Sequence, residues 1–306
     1  LFRSQVAVTG WGSLEPEPHV YAMDEHLGGL AYGTRHKGMQ PYMGIALINT
    51  TRRDLPPDLT GDTEDERWRW NTSEMLGRFE KLLEATRTVL PESVRWLVIG
   101  NEVDVYFDSH PAEVDDFLGF YQRASVVARR YYPQAQIGIT VTHDGLTKGR
   151  TRIIEKMVQA SDAAFFTLYP ALSFKPEAPK GSIAADLRRL QRVAEGKDIV
   201  LQELGYPSTR PDGEARQAAY FAEAIPAIDA IKQITMASIF LLHDLAPKYC
   251  SGLVNYYGYA RAPSRLNTQL QDFLCTLGLR HEDGTPKAAW HVVAALLAGL
   301  PPLPQP

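Results

Sequence analysis

The sequence is poor in cysteine, carries little net charge and has no long apolar run. Its only cysteines, Cys250 and Cys275, are too few for a disulfide framework and lack the Cys/His spacing of a zinc site, although they can form one bridge with each other. The 32 basic and 36 acidic residues leave a formal net charge of -4, which argues against binding to a phosphate backbone. We therefore expect no nucleic-acid partner.

The longest apolar stretch covers residues 288–300, contains His291 and is shorter than the roughly 20 residues that a membrane span needs. We therefore expect no membrane partner. The chain starts with Leu1-Phe2-Arg3, without an initiator methionine or the basic and apolar regions of a secretory signal. This start indicates a chain that is processed, trimmed or incomplete.

Short apolar runs recur along the chain, and each predicts a strand. These runs cover residues 5–11, 42–49, 95–101, 136–142, 163–169, 198–204 and 234–242. Between them, apolar residues spaced three and four apart predict helices that pack on a sheet. The stripes contain Met75, Phe79 and Leu82, then Phe117, Phe120, Tyr121, Val126 and Val127, then Ile183, Leu187 and Leu190.

Strands that are apolar on both faces and alternate with helices indicate a parallel sheet covered by helices. A doubly wound nucleotide-binding sheet usually has a Gly-rich phosphate loop after its first strand, whereas Gly10-Trp11-Gly12 leads into a segment broken by Pro16 and Pro18. The length also favours a (β/α)8 barrel, which usually has roughly 250 residues. We predict one α/β domain, a (β/α)8 TIM barrel over residues 1–300, and a Pro-rich tail over 301–306.

Two of the predicted strands end in a glutamate. Glu102 follows the run 95–101, and Glu203 interrupts the run 198–204. In a barrel the carboxyl ends of the strands carry the chemistry, so both side chains are expected at one mouth, unless each is simply salt-bridged to a barrel arginine. Glycoside hydrolysis needs such a pair, because one carboxyl of raised pKa protonates the departing oxygen and one carboxylate attacks the anomeric carbon.

The residues around both glutamates resemble motifs of the clan A glycoside hydrolases. Gly100-Asn101-Glu102 is similar to the Asn-Glu signature that ends strand four, and residues 202–208 (Gln-Glu-Leu-Gly-Tyr-Pro-Ser) are similar to the nucleophile motif that ends strand seven. Residues 11–16 resemble the Trp-x-x-x-Glu-Pro stretch after strand two, and residues 277–287 resemble the closing segment. The resemblance covers most of the chain.

The resemblance implies a retaining hydrolase that cleaves a β-linked glycan or oligosaccharide by double displacement and needs no cofactor. Glu102 would be the general acid/base and Glu203 the nucleophile. Asn101 would donate to the sugar 2-hydroxyl, and Tyr169 would orient the nucleophile unless it only packs at the rim. Substrates of this class are usually met outside the cytoplasm, so a secreted or periplasmic location is expected.

Further substrate-binding residues are expected where aromatic or polar side chains lie beside strand ends. Aromatic rings can stack on the apolar faces of sugars. Trp11, Tyr106 and Tyr206 are favoured for this role over other aromatic candidates, namely Trp68, Trp70, Tyr256, Tyr257 and Tyr259. Polar candidates for sugar hydroxyls are Asn49, His143 and His243. Each of these histidines precedes an aspartate, but no third ligand is evident, so no metal site is predicted.

Two features depart from the clan pattern. The stretch that resembles the strand-two loop already starts at Trp11, so the first strand is missing, displaced or supplied from elsewhere. Phe240 and His243 stand where a strand-eight tryptophan is frequent. These departures keep two alternatives open: a barrel that binds carbohydrate or serves as a scaffold without catalysis, and an inverting hydrolase. A carboxyl separation well above roughly 5.5 Å would support inversion.

Overall fold

The structure, a computed structural model, describes residues 4–59, 69–90, 94–170, 182–209, 212–259 and 264–299. Its strands are β1 (Ser4–Gly10), β2 (Gln40–Asn49), β3 (Arg52–Arg53), β4 (Trp96–Asn101), β5 (Gln136–Gly138), β6 (Thr140–Thr142), β7 (Ala164–Leu168), β8 (Ile199–Leu204) and β9 (Ile234–Ile239). Its helices are α1 (Trp11–Leu14), α2 (Met23–Lys37), α3 (Ser73–Thr86), α4 (Val103–Ser109), α5 (Val114–Tyr131), α6 (Thr151–Ala160), α7 (Ser182–Ala194), α8 (Gly213–Asp229), α9 (Pro247–Tyr256), α10 (Ser264–Cys275) and α11 (Ala288–Gly299).

The strands form two parallel sheets, β1-β2-β4-β5 and β6-β7-β8-β9, that meet where Ile139 separates β5 from β6. All seven predicted strands are present, with the run 136–142 divided between β5 and β6. The short β3 pairs antiparallel with β2 at its carboxyl end. Sequence analysis did not predict β3, because two arginines give no apolar run.

The ends of this strand order, β1 and β9, lie against each other without forming a ladder among the described residues. β1 is partly exposed along Ser4–Thr9, whereas β2 is buried from Pro41 to Ile48. β9 and β1 therefore meet at the seam of the barrel. The order of parallel strands and helices is that of the predicted barrel, with seven strand positions filled among the described residues when β5 and β6 are taken as one. The predicted tail at 301–306 lies outside the described residues.

Side chains on the two faces of the strands build two different packed layers, because successive strand residues point in opposite directions. One face contributes to an inner cluster that includes Tyr42, Trp96, Phe165 and Met236. The other face packs against the helices. The inner cluster fills the barrel below its carboxyl-end mouth, so the mouth has a packed floor.

The predicted apolar stripes of the helices face the sheets. Met75, Phe79 and Leu82 are buried on α3, as expected from their spacing. On α5, Val127 is buried but its neighbour Val126 is 62% exposed, so that part of the predicted stripe was wrong. No described helix is long and apolar enough to cross a membrane.

Helices α9 and α10 form a hairpin joined by a disulfide bond between Cys250 and Cys275, whose Cα atoms lie 5.6 Å apart. The bond closes a loop of 25 residues, for which the chain-entropy estimate is a stabilisation of about 3 kcal/mol. This hairpin follows β9 and brings the tyrosines at the end of α9 to the mouth of the barrel.

Candidate active site

Glu102 lies in a sharp turn between β4 and α4. It has a left-handed backbone, with φ 50° and ψ 40°, and immediately precedes the first residue of α4. Gly100, two residues earlier, has φ 99°, and a Cβ atom there would lie 2.7 Å from Cγ1 of Val103. The left-handed backbone of a non-glycine residue such as Glu102 costs on the order of 1–3 kcal/mol, and such strain is concentrated at functional sites.

Two threonine hydroxyls bind the Glu102 carboxyl group. Thr167 Oγ1 donates to Oε1 at 2.6 Å, and Thr50 Oγ1 donates to Oε2 at 2.7 Å. Burial, together with the negative charge of Glu203, raises the pKa of Glu102 to about 7, although both hydrogen bonds oppose the shift. Glu102 is therefore protonated in a large part of the molecules at neutral pH.

Glu203 lies in β8 and accepts hydrogen bonds from two different donors. The Tyr169 hydroxyl donates to Oε2, and Gln202 Nε2 donates to Oε1 at 3.1 Å. Burial raises the pKa of Glu203, while the Tyr169 and Gln202 hydrogen bonds lower it. The charge of Glu203 adds to burial in raising the pKa of Glu102, whereas burial alone raises that of Glu203, so Glu203 is the better carboxylate of the two.

The two carboxyl groups share one mouth. Thr167, which donates to Glu102, is the register partner of Glu203 on the neighbouring strand. The negative charge of Glu203 raises the pKa of Glu102. The pKa of the Tyr257 phenol is raised mainly by burial and further by the charges of both glutamates. Among the described residues, neither glutamate forms a salt bridge, so the ionic partner that the sequence left open is not observed there.

Three amide side chains form a hydrogen-bonded row beside the carboxylates. Gln202 Nε2 donates to Asn101 Oδ1 at 2.7 Å, and Asn101 Nδ2 donates to Asn49 Oδ1 at 3.1 Å. Asn49 Nδ2 donates to the Tyr256 hydroxyl at 3.1 Å. Asn49 and Asn101 are register partners on β2 and β4, which explains their contact. The structure thus brings together Asn49, Asn101, Glu102, Tyr169 and Glu203, all predicted from the sequence.

The turn at Glu102 is held by a buried aspartate. Asp104 accepts hydrogen bonds from the Thr142 backbone N–H at 2.8 Å, the Thr142 hydroxyl at 2.7 Å and Arg150 Nε at 2.8 Å. These contacts connect α4 to β6 and to the start of α6. They leave α4 little freedom to move, so the backbone that carries Glu102 is fixed from below.

The aromatic residues favoured for sugar stacking lie elsewhere. Trp11 is fully buried and donates through Nε1 to Glu15 at 2.8 Å. Tyr106 is 3% exposed, and Tyr206 is 6% exposed with its ring stacked on Tyr220 at 4.9 Å. Rings covered in this way offer no free face to a sugar in this arrangement. Their assignment as stacking residues stays a prediction that this geometry does not support.

Among the described residues, neither histidine candidate has a side-chain hydrogen bond to Glu102 or Glu203, although the His143 backbone N–H donates to the Thr167 carbonyl oxygen at 2.9 Å. His143 is buried, with Nε2 3.1 Å from Asp186 Oδ1. His243 is exposed, and its Nδ1 lies 3.4 Å from the His281 carbonyl oxygen. Their contact with sugar hydroxyls stays a prediction. No cluster of three or more potential metal ligands occurs in the part of the chain that the structure describes.

Sequence reasoning missed the two threonines and Gln202, and it ranked Tyr256 and Tyr257 below other aromatics. Strand alternation could have found Thr167, because it lies two residues before Tyr169 and therefore on the same face. Thr50 and the tyrosines of the hairpin reach the site from loops, for which the sequence carries no such period. Trp68 lies outside the described residues, and Trp70 is fully buried.

The sequence matches no protein-family model and no curated protein. The structure, however, is similar to solved glycoside hydrolase structures. A GH5_18 protein from Streptomyces cattleya in complex with GlcNAc has a TM-score of 0.70 at 15% identity, with 100% of this chain and 74% of that chain covered. A GH5_18 variant from Bifidobacterium longum subsp. longum in complex with Manβ1-4GlcNAc has a TM-score of 0.69 at 14% identity, with 99% and 71% covered.

An exo-β-1,4-mannosidase from Opitutaceae bacterium strain TAV5 is also similar, with a TM-score of 0.67 at 17% identity and with 97% of this chain and 53% of that chain covered. At these identities the likeness concerns the fold. The predicted fold is therefore confirmed: this chain has the (β/α)-barrel fold of these solved glycoside hydrolases.

Proposed function

We propose that this protein is a glycoside hydrolase that cleaves a β-linked glycan or oligosaccharide with retention of configuration. The observation that carries the proposal is the pair Glu102 and Glu203, which share one mouth, lack salt bridges among the described residues and differ in their hydrogen-bond partners. A structural ion pair would neutralise these charges. A catalytic pair keeps one carboxyl protonated and the other ionised.

Glu102 is the general acid in this proposal. Its pKa of about 7 keeps a proton available near neutral pH. Its partners Thr50 and Thr167 are hydroxyls, which can donate to a carboxylate and can also accept from a carboxylic acid. The site therefore accommodates both protonation states, as an acid that later acts as a base requires.

Glu203 is the nucleophile because Tyr169 and Gln202 donate to it and stabilise its ionised form. Its carboxylate attacks the anomeric carbon while the glycosidic C–O bond breaks and the Glu102 proton moves to the departing oxygen. A glycosyl ester of Glu203 results. Glu102 then removes a proton from water, the water oxygen attacks the same carbon, and Glu203 leaves as a carboxylate.

Asn101 contacts the sugar 2-hydroxyl in this mechanism. One of its two Nδ2 hydrogens is bonded to Asn49, and no other described residue accepts from the second, which can donate to a substrate oxygen. A hydrogen bond to the 2-hydroxyl that strengthens in the transition state contributes to kcat rather than to ground-state binding.

The first substrates to test are β-mannosides. The similar solved structures include proteins bound to Manβ1-4GlcNAc and an exo-β-1,4-mannosidase, and these names support that order of testing. Glucans and galactans follow in the same panel, because a shared fold does not fix the sugar.

The lack of a hydrogen-bonded ladder between β1 and β9 among the described residues favours a second candidate, a barrel that binds carbohydrate without turnover. Measurement of hydrolysis of aryl β-glycosides separates the two. Glu203→Gln is expected to abolish turnover and to keep sugar binding, whereas Glu25→Gln on the exposed face of α2 leaves turnover unchanged. Native protein that binds β-glycans but hydrolyses none would favour the second candidate.

Azide identifies the role of each glutamate. With Glu203→Gly, azide replaces the nucleophile and should yield the α-glycosyl azide; with Glu102→Ala, it should attack the glycosyl ester and yield the β-glycosyl azide. Direct observation of the first-formed product by NMR distinguishes retention from inversion. A first-formed α-product from a β-glycoside would refute the retaining mechanism.

We also propose that the protein works in a secreted or periplasmic setting. The disulfide between Cys250 and Cys275 supports this location, because such bonds form and persist in oxidising compartments. Thiol labelling of the protein directly after cell lysis tests it, and fully labelled cysteines in the native host would contradict it.

A further inference from the structure

Tyr256 reaches the catalytic mouth from outside the barrel, at the end of α9. Its hydroxyl donates to Asp54 Oδ2 and accepts from Asn49 Nδ2 at 3.1 Å. The guanidinium of Arg52 lies 4.8 Å from the centre of its ring. Both the ring and the hydroxyl are therefore fixed, although the helix that carries them belongs to the α9–α10 hairpin and not to the barrel wall.

The Tyr256 hydroxyl and the Asp54 carboxylate, which both accept from Asn49, decide together which way the Asn49 amide faces. Because the phenol proton is given to the Asp54 carboxylate, the phenol oxygen can only accept from Asn49. Asn49 must then direct its NH2 group to Tyr256 and its oxygen to Asn101. The Asn49 amide is thus occupied at both ends, which argues for a supporting role instead of the direct substrate contact expected from the sequence.

The other end of the amide row is fixed from the barrel interior. Gln202 Oε1 accepts from the Tyr42 hydroxyl at 2.6 Å and from the Thr140 hydroxyl at 2.7 Å, so its NH2 group must face Asn101 and Glu203. Asn101 lies between two amides of defined orientation. Asn101 Oδ1 accepts from Gln202, and one Nδ2 hydrogen is donated to Asn49. These two bonds fix the plane of the Asn101 amide and therefore the direction in which its second Nδ2 hydrogen points.

We propose that Tyr256 is a positioning residue which, through Asn49, holds the free N–H of Asn101 in the direction of the sugar 2-hydroxyl. This inference rests on the proposed function, specifically on the contact between Asn101 and the substrate. It makes the α9–α10 hairpin part of the catalytic apparatus without any contact between Tyr256 and the reacting atoms.

The test compares Tyr256→Phe with Tyr249→Phe, a matched control on the same helix whose ring is 60% exposed. Each is assayed on an aryl β-glycoside and on its 2-deoxy analogue. Tyr256→Phe is expected to lower kcat/KM up to about tenfold on the first substrate, mainly through kcat, which corresponds to the loss of roughly one hydrogen bond. On the 2-deoxy analogue, both variants should match the wild type within about twofold.

A second variant protects the test against a mere folding defect. Asn49→Ala should cause a similar selective loss, and the double variant Asn49→Ala/Tyr256→Phe should be no worse than Asn49→Ala alone, because both act through one connection. Equal losses on both substrates, or additive losses in the double variant, would overturn the inference. If the wild type hydrolyses no β-glycoside, the proposed function fails and this inference with it; if the wild type is active and Tyr256→Phe equals Tyr249→Phe, only the inference fails.

Discussion

Thr50 and Glu102 both have left-handed backbones, with φ of 54° and 50°, and their side chains share a hydrogen bond of 2.7 Å. A β-branched threonine in that conformation is a genuine outlier, and a glutamate there is uncommon. The backbone strain therefore lies in Thr50 and Glu102, whose side chains are joined by the hydrogen bond to the Glu102 carboxyl group. The loop after β2 and the turn after β4 are held in conformations that favour the site over local stability.

Removal of the Thr50 hydroxyl is expected to raise the pKa of Glu102, because the hydrogen bond it donates lowers that pKa. Thr50→Val keeps the branched shape. The basic limb of the pH profile of kcat/KM should move to higher pH, since the acid must be protonated to act. Thr51→Val, one residue away, is the control. A basic limb that stays in place in Thr50→Val would contradict the assignment of Glu102 as the acid.

Glu102 is expected to destabilise the folded protein when it is ionised. Its pKa is about 7 in the folded state against an ordinary value of 4.5, so the folded state binds more protons between these two pH values. Stability should therefore fall as pH rises through this window. Glu102→Gln removes the effect and should raise the free energy of unfolding by about 1–3 kcal/mol above pH 7. Denaturant titrations at pH 5 and pH 8 measure it; an equal effect at both would argue against the raised pKa.

Gly100 is expected to tolerate no side chain. It has φ 99°, and an added Cβ would lie 2.7 Å from Val103 Cγ1, so Gly100→Ala should destabilise the protein by more than about 1 kcal/mol and reduce turnover through the displaced Glu102. Gly77→Ala on α3, where an added Cβ meets nothing within 4 Å, should stabilise slightly. Thermal unfolding of both variants checks this pair, and similar melting temperatures would refute it.

Tyr169→Phe is expected to change the acidic limb of the same pH profile. The Tyr169 hydroxyl lowers the pKa of Glu203, so its removal raises that pKa. Because Glu203 attacks as a carboxylate in the proposed mechanism, activity should then begin to fall at a higher pH as the solution is acidified. A loss of kcat without any movement of the acidic limb would indicate that Tyr169 contributes by packing alone.

Much of the fold follows from periodicities that are present in the sequence. Apolar runs predicted every barrel strand, and three-four spacing predicted the helix faces that cover them. The division of 136–142 into β5 and β6 was not predictable, because Ile139 is as apolar as its neighbours. Val126 was assigned to the core by apolarity, but whether a valine on α5 is buried depends on the distance to a neighbouring element.

The juxtaposition of Glu102 and Glu203 was predictable because a carboxylate at the end of an apolar strand is costly and therefore conspicuous. Asn49 follows from the same rule of polar residues at strand ends, whereas Tyr169 and the role of Asn101 were taken from the resemblance to clan A motifs. Thr50 was not predicted and Tyr256 was ranked below other aromatic candidates, since a loop and a distant hairpin bring them to the site. Trp11 shows the limit of this rule, because a position beside a strand end does not tell whether a ring faces the mouth or the helices.

The disulfide bond between α9 and α10 makes the proposed activity depend on the redox state of the compartment in which the chain folds. Where thiols are kept reduced, packing and hydrogen bonds hold the helix that presents Tyr256 without a covalent link to α10, and the orientation of Asn101 loses that covalent support. The same polypeptide would then exist as two chemical forms with intact carboxylates but unequal turnover. Passage into an oxidising compartment would complete the enzyme as well as stabilise it.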